Sequence, residues 1–406
     1  MLAAALHDPV ATHAGARMTS WDVVVAGAGP GGSVAALELA RSGASVLLVD
    51  RQAFPRWKVC GACLSPGALA TLATAGLGDL VSDAGAVPLS RMSLFAGARR
   101  ASLPLRGSMA LSRAVLDEAL VRAAVSAGVT FLPEARAGLG SAGRDARTVL
   151  VTRQGYEEAL EARVVIDATG LGRGLERLDV DEAAPSDEGE AQVPRVTAGS
   201  RVGLGATLSG SSYDVPAGEL HMVVGKRGYV GLVRLEDGTL NVGAAVDPGA
   251  LRTLAPAEAI SEILEEARRP ALDGRLVHGW RGTPPLTRRS PPAGGERLFR
   301  LGDAAGYVEP FTGEGMCWAL AAGVSVGGLA RAGLRAWHPQ LGEAWSAYQR
   351  RAMTRSRRLC RALAWALRRP HLVRPAVAAL ARVPALAEPF VRQAGARPRA
   401  YAVSAP

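Results

Sequence analysis

The 406-residue chain predicts an α/β protein in which a parallel-sheet unit is interrupted by a β-sheet unit and followed by a helical tail. Three observations predict it. A strand, glycine turn, helix and strand run through WDVVVAGAGPGGSVAALELARSGASVLLVD (21–50). A second strand with a glycine-rich loop and an apolar helix comes late, in RLFRLGDAAGYVEPFTGEGMCWALAAG. Between them, residues 198–247 read as several strands separated by glycine turns. A chain of this length also exceeds what one hydrophobic core usually serves, so two domains are expected.

Val23–Val25 form the buried first strand, Val34, Leu37 and Leu39 lie on the apolar stripe of the following helix, and Val46–Val49 form the second strand. A loop (51–65), a helix near 66–76 and a strand-like segment (91–105) follow, and LSRAVLDEALVRAAVSAG (111–128) is an amphipathic helix. A polar meander over 130–163 leads into VVIDATG (164–170), and the acidic residues 176–195 read as a surface connection. A short helix (255–268) and a Pro-rich link (284–292) precede the late strand, and no internal repeat occurs. The expected division gives residues 18–90, 106–185 and 286–349 to the parallel-sheet unit, and 91–105 and 186–285 to the β-rich unit. Residues 350–406 form the tail, and 1–17 read as an extension ahead of Met18.

Charge sharpens this division. The chain carries +10, but from Arg350 onward there are 13 Arg, no Lys and a single acid, Glu388. The tail therefore holds +12 and the body −2. Aromatic residues are 5% of the chain and no nucleic-acid-binding motif accompanies the arginines, so nucleic acid is not an expected partner. Four cysteines (60, 63, 317, 360) do not make a secreted disulfide framework. The six histidines are scattered without ligand spacing, and no metal site is expected. With no apolar run of about 18 residues and no basic start to residues 1–17, a cytoplasmic enzyme is expected.

Gly27-Ala28-Gly29-Pro30-Gly31-Gly32 satisfies G-x-G-x-x-G between a strand and a helix. Gly27 permits the tight turn, Gly29 lets a pyrophosphate approach the backbone, and Gly32 lets helix and strand pack closely. Asp50, at the end of the second strand, is placed to accept hydrogen bonds from a ribose diol. This is a Rossmann-like dinucleotide site, and the late segment selects FAD as its ligand. Gly302-Asp303 ends a strand there, with Asp303 placed for the ribityl hydroxyls. The loop Gly313–Gly315 opens a helix (315–330) whose N–H groups and dipole would stabilise the negative charge of reduced flavin.

The segments GAGPGGSVAA, LLVDR, FPRWKVCGACLSP, LSRAVLD, VVIDATG and GDAAGYVEPFTGEG resemble the geranylgeranyl reductase branch of the FAD-dependent family that also holds para-hydroxybenzoate hydroxylase and the flavin-dependent halogenases. The likeness spans most of residues 21–335. It implies an FAD-binding domain, a β-sheet substrate domain and a lipophilic substrate. It also implies FAD contacts at Gly27, Gly29, Gly32, Asp50, Arg51, Arg113, Gly302, Asp303, Gly313 and Gly315. For Arg113 an alternative is open: a surface arginine beside Asp117.

Cys60 and Cys63 form a C-x-x-C pair that reads as a redox dithiol, half of a zinc site, or a loop with two thiols. The zinc reading lacks a second Cys or His pair. The resemblance places Lys58-Val59-Cys60-Gly61 beside the isoalloxazine, which makes Lys58 and Cys60 catalytic or cavity-lining candidates; Cys63 falls outside the family pattern and is expected to be small and buried. The loop Thr312-Gly313-Glu314-Gly315, Gly306, Asp167-Ala168-Thr169-Gly170 and the absence of W-x-W favour the reductase branch over hydroxylases and halogenases.

Where that branch carries G-Y-x-W-x-F-P, this chain has Gly228-Tyr229-Val230-Gly231-Leu232-Val233-Arg234. The missing Trp and Pro imply a wider pocket, suited to a bulkier lipophilic, polyketide-derived or quinone-like molecule. The expected function is C=C reduction with NAD(P)H or another electron donor. A monooxygenase (hydroxylase or epoxidase) and a non-catalytic flavoprotein are the other readings. The tail also has two readings: an amphipathic surface for peripheral contact with anionic membrane, or helices that cover the core with their arginines in solvent.

Overall fold

The structure is a computed structural model that describes residues 19–172, 174, 175, 194–309, 311 and 313–397. The N-terminal extension, residues 176–193 of the acidic connection and Thr312 lie outside the described residues.

The first sheet is built on β1 (Ser20–Ala26), β2 (Val46–Val49), β6 (Thr130–Leu132), β9 (Tyr156–Asp167) and β18 (Leu298–Arg300), all parallel in the order β18-β9-β1-β2-β6. Val23, Val24 and Val25 are fully buried between helices on one face and the hairpin β7 (Ala135–Ala142) and β8 (Arg147–Arg153) on the other. A two-residue strand β17 (Gly294–Gly295) closes one edge. Chain direction across the sheet reverses at β1, with β2 on one side and β9 on the other. The crevice at the carboxyl ends of β1 and β9 is thus the topological switch point, where open α/β sheets bind ligands.

Helices α1 (Pro30–Arg41) and α6 (Gly315–Arg335) lie against each other on this sheet, backbone to backbone. A Cβ at Gly323 would stand 2.5 Å from the Gly31 carbonyl oxygen, and one at Gly31 2.8 Å from that of Ala319. Helix α6 extends to Arg335, beyond the expected 330, and stops ahead of His338-Pro339, where a proline disfavours further helix. By length and composition α6 could cross a membrane, yet 67% of its most apolar window is buried against its neighbours. Helices α2 (Pro66–Thr74), α3 (Leu80–Asp83) and α4 (Arg113–Ser126) complete this face. Ser65 and Ser112 cap α2 and α4 by accepting from Ala68 N and Val115 N.

The second sheet runs β15 (Arg275–Pro285), β11 (Val202–Ser209), β14 (Leu240–Val246), β13 (Gly228–Arg234), β12 (Glu219–Gly225), β4 (Val87–Ala96), β5 (Arg99–Ala110) and β3 (Cys63–Leu64). Residues 91–105 belong to a longer hairpin, 87–110, because β4 pairs with β5 on one side and in parallel with β12 on the other. Helix α5 (Pro256–Glu266) covers the outer face through Ile260, Ile263 and Leu264. A small ladder joins β10 (Arg195–Val196) to β16 (Arg288–Arg289).

The tail is helical and packed. Helix α7 (Gln340–Ala366) is pinned to the first sheet by the fully buried Trp345, whose Nε1 donates to Arg300 O at 2.9 Å. Helix α8 (Pro370–Arg382) lies on β4 and β5, with Val373 and Val377 buried among Leu94, Ala101 and Leu367. Each such aliphatic side chain contributes about 1.5–3 kcal/mol on burial. After a 3-10 turn (Pro384–Ala387), α9 (Glu388–Ala394) reaches α2, where Arg397 Nη1 donates to Thr74 Oγ1 at 2.6 Å. The tail thus arches from the second sheet back to the first domain.

Candidate functional site

A single cavity of about 1430 Å3 runs from the switch point to the inner face of the second sheet. Its first end is a glycine cradle. Gly27 turns at φ +101°, and a Cβ there would meet the Ala168 carbonyl oxygen at 2.3 Å. A Cβ on Gly32 would stand 1.9 Å from Gly27 O, so both positions exclude any side chain. Gly29 caps α1 in extended conformation without a side-chain cap, leaving the first-turn N–H groups facing the cavity. The space a Gly29 Cβ would fill is bounded by Arg113 Nη2 and Arg56 Nη2, each 3.7 Å away.

Those two arginines belong to a buried tier. Arg113 donates from Nε and Nη2 to the fully buried Asp117 carboxylate at 2.9 and 2.7 Å. Arg56 reaches the same carboxylate at 3.1 Å and Asp50 at 3.4 Å. Asp50 also accepts from Ala28 N (2.9 Å) and Gln52 N (3.0 Å), which locks the glycine turn to the end of β2. Arg113 is therefore both paired with Asp117 and turned to the cavity, so the surface-arginine alternative is corrected: the side chain is 9% exposed. Arg56 was missed by the sequence reading, although it sits inside the quoted F-P-R-W-K motif. Arg51 lines the cradle end of the cavity and is exposed.

At the middle of the cavity stands Asp303, on a 3-10 turn after Gly302 (φ +53°). Burial raises its pKa, against the pull of Lys58, Arg113, Arg288 and Arg357 around it. Its carboxylate makes no hydrogen bond among the described residues, an acceptor turned to the cavity. Gly313 (φ +74°) and Gly315 line the same wall at the start of α6. Opposite, Lys58 Nζ lies 3.2 Å from where a Gly170 Cβ would be. Burial, then Arg113 and Arg56, pull its pKa down to about 8.

The Lys58–Gly61 segment crosses from the first domain to the second sheet and rests on Gly205 and Gly243, two of three glycines in register. Gly205, Gly243 and Gly231 are paired neighbours on β11, β14 and β13. A Cβ on Gly243 would stand 3.0 Å from Cys60 O, and one on Gly205 3.1 Å from Val59 Cγ1. Asn241 Nδ2 donates to Cys60 O at 3.0 Å and Trp57 Nε1 to Thr207 Oγ1 at 3.0 Å, which hold the segment down. Cys60 and Cys63 are both free thiols on the cavity wall. Cys63 is half-buried rather than buried, because it opens the edge strand β3 beside the cavity. Desolvation, with the neighbouring Cys60, pushes its thiol up to about 12.

The cradle at the switch point, the cationic tier beside Gly29 and the unpaired Asp303 acceptor fit FAD. The profile of the family described as FAD dependent oxidoreductase matches residues 22–203. Menaquinone reductase of Mycobacterium tuberculosis is 31% identical over 332 residues, 75% of each chain. Digeranylgeranylglycerophospholipid reductase 2 of Methanopyrus kandleri is 30% identical over 329 residues, 76% of each chain. This chain belongs to the geranylgeranyl reductase-like branch of the FAD-dependent oxidoreductases. The flavin-dependent brominase Bmp2 shares the fold, with a TM-score of 0.76, 18% identity and 93% and 94% of the two chains covered.

In this oxidoreductase the far end of the cavity is apolar. Met92, Leu94, Leu103, Leu220 and Met222 face it from β4, β5 and β12, and Tyr229 and Phe311 meet edge to face at 5.0 Å. At Gly231 the space beside the backbone is bounded by Met222 Sδ, 3.1 Å from a Cβ position. A further feature that sequence reasoning did not anticipate is a four-charge clamp. The fully buried Arg201 donates to Asp247 (3.0 Å) and Glu309 (3.2 Å), and Arg368 of the tail reaches Asp247 at 2.8 Å and Glu309 at 3.7 Å. It ties the second sheet, the loop after Asp303 and the tail into one frame around the cavity.

Proposed function

We propose that this enzyme reduces carbon–carbon double bonds in a lipophilic substrate whose head is bulkier than a simple isoprenoid chain, such as an isoprenoid quinone. The cavity carries this reading: it joins the glycine cradle to an apolar wall without a break, with Lys58 and Cys60 at the junction. Gly231 carries no ring into the cavity, the space beside it being filled by the flexible Met222 side chain, and the names of the relatives supply the substrate class. Gly27, Gly29, Gly32, Asp50, Arg51, Arg113, Gly302, Asp303, Gly313 and Gly315 would hold FAD, with NAD(P)H or another donor recharging it.

When bound, FAD supplies the hydride. The α1 N-terminus and the arginine tier would bind its phosphates, and Asp303 would hold its sugar chain. The α6 N-terminus, with Gly313 and Gly315 on the cavity wall, would offer backbone N–H groups to the flavin ring. Lys58 holds a proton at Nζ next to the ring site, available to the substrate carbon that does not take the hydride. Cys60 shapes the wall at that junction. Met222, Leu94 and their neighbours exclude water and align the lipid chain. The enzyme would act in the cytoplasm, with the basic tail in peripheral contact with anionic membrane.

The test is anaerobic reduction of the purified yellow protein, followed by mixing with candidate lipids. Reoxidation by an unsaturated isoprenoid quinone, with two hydrogens gained on carbons of the isoprenoid chain, is expected, whereas hydrogens gained only on the ring oxygens would assign quinone reduction instead. Substrate-dependent oxygen uptake with an oxygen atom in the product would assign a monooxygenase instead.

A further inference from the structure

The tail does two things at once. Leu380, Ala387 and Val391 face the cavity from α8, the 3-10 turn and α9, and so form part of its wall. Leu386 and Phe390 also line the cavity, yet are 53% and 51% exposed. They are therefore the rim of its mouth. The run Ala381-Arg382-Val383-Pro384-Ala385-Leu386 is exposed throughout, with Val383 at 49%. An apolar cavity that ends in an exposed apolar rim would have its mouth covered by something apolar.

The charges around the rim select the occupant. Arg374, Arg382 and Arg392 are exposed on the same two helices, and Glu388, paired with Arg392 at 3.7 Å, is the tail's single acid. A protruding apolar segment flanked along the chain by the exposed Arg382 and Arg392 matches the interface of an anionic bilayer, where apolar side chains enter the acyl boundary and cations meet phosphates. We propose that the mouth of the cavity, Val383–Phe390, is a bilayer-docking surface that inserts Leu386 and Phe390 and opens the cavity directly to the lipid phase. The inference rests on the lipophilic-substrate reading above, and it gives that substrate a route that never crosses water.

The experiment uses full-length FAD-loaded protein and co-sedimentation with vesicles of phosphatidylcholine, with and without phosphatidylglycerol. Wild type is expected to bind the anionic vesicles and to bind less in high salt. Leu386→Asp/Phe390→Asp should weaken that binding by roughly ten-fold or more, and the milder Phe390→Asn by a few-fold, with the flavin absorbance unchanged in both. Tyr156→Asp, at a 75% exposed side chain at the start of β9 in the first domain, should change nothing. If the double variant sheds FAD, Phe390→Asn decides. Wild type that ignores anionic vesicles, or a Phe390 variant that binds as wild type does, overturns the proposal. Both results leave the flavin reading intact, because flavin content and anaerobic reduction are measured on the same samples.

Discussion

Asp303→Ala should strip the enzyme of most of its FAD. The carboxylate faces the cavity without a hydrogen-bond partner among the described residues, so its bonding capacity is available to a ligand. Two effects of the substitution oppose each other. A hydrogen bond to a charged group contributes about 1.5–3 kcal/mol, and a buried hydroxyl left without a partner costs about 1–3 kcal/mol more. Against this, Lys58, Arg113, Arg288 and Arg357 lose the anion among them, and the added positive potential favours the pyrophosphate. For the two pyrophosphate charges at about 10 Å and an effective dielectric of about 20 that gain is about 3.3 kcal/mol, which salt screening over one Debye length cuts to about 1.2 kcal/mol. The loss wins by about 2–3 kcal/mol, a rise in Kd of roughly 30- to 150-fold. Wild type should hold about one FAD per chain. The measurement is titration of flavin-free protein with FAD, followed by quenching of flavin fluorescence, with occupancy after extensive dialysis as a second readout. Asp303→Asn, which keeps a neutral acceptor, should fall between the two. An Asp303→Ala protein with full occupancy and wild-type Kd would refute the role given to this residue.

Lys58 is charged below about pH 8 and neutral above it, so turnover that draws on its proton should fall as pH rises through about 8. Lys58→Met should lower the rate and remove that alkaline limb; a variant with the same limb would exclude the role. Cys60→Ser should change turnover or substrate preference with FAD retained, whereas Cys63→Ser should do little. Equal severe losses from both, with two thiols per chain appearing on reduction, would establish a redox pair. Gly231→Trp should narrow the pocket and raise KM for bulky substrates, at a stability cost of about 1–3 kcal/mol and unchanged flavin content. Glu314 is buried beside Cys360, whose Sγ donates to it at 3.3 Å, and burial raises its pKa from 4.5 to about 7. Its folded form keeps a proton that the unfolded chain has released, so its ionisation costs stability above pH 4.5, up to a limit of about 3 kcal/mol above pH 7. Glu314→Gln should therefore gain on wild type between pH 5 and 8.5, read from thermal unfolding at each pH; parallel curves would count against it.

Much of the candidate site could be read from the chain, because its parts are local. Gly27 and Gly32 announce a turn that only glycine can make, Gly29 leaves the cradle open between them, Asp50 ends the strand after the helix, and Gly302-Asp303 sits between a strand and a helix start. Such signals depend on residues within a few positions of one another, and the backbone chemistry at each makes the reading specific. Family likeness added Lys58 and Cys60. Arg56 stayed hidden, since an arginine in a loop carries no periodicity, and its partners Asp50 and Asp117 are brought to it by two different elements.

By itself, then, the sequence determined the two-unit α/β architecture, the dinucleotide cradle and the concentration of charge in the tail. Tertiary structure alone decided how those parts meet. Gly205 and Gly243 lie far apart in the chain and look like ordinary strand glycines, yet strand pairing sets them side by side as the bed for Val59 and Cys60. Arg201 has no local partner, and only folding brings Asp247, Glu309 and Arg368 to it. The tail's amphipathic pattern fitted both a core cover and a membrane surface, because the pattern states that one face is apolar and not what it meets. Packing gave Val373 and Val377 to the core and left Leu386 and Phe390 exposed at the rim of the cavity. Period and spacing are properties of neighbours along the chain, whereas a cavity is made by residues that share no neighbourhood until the chain has folded.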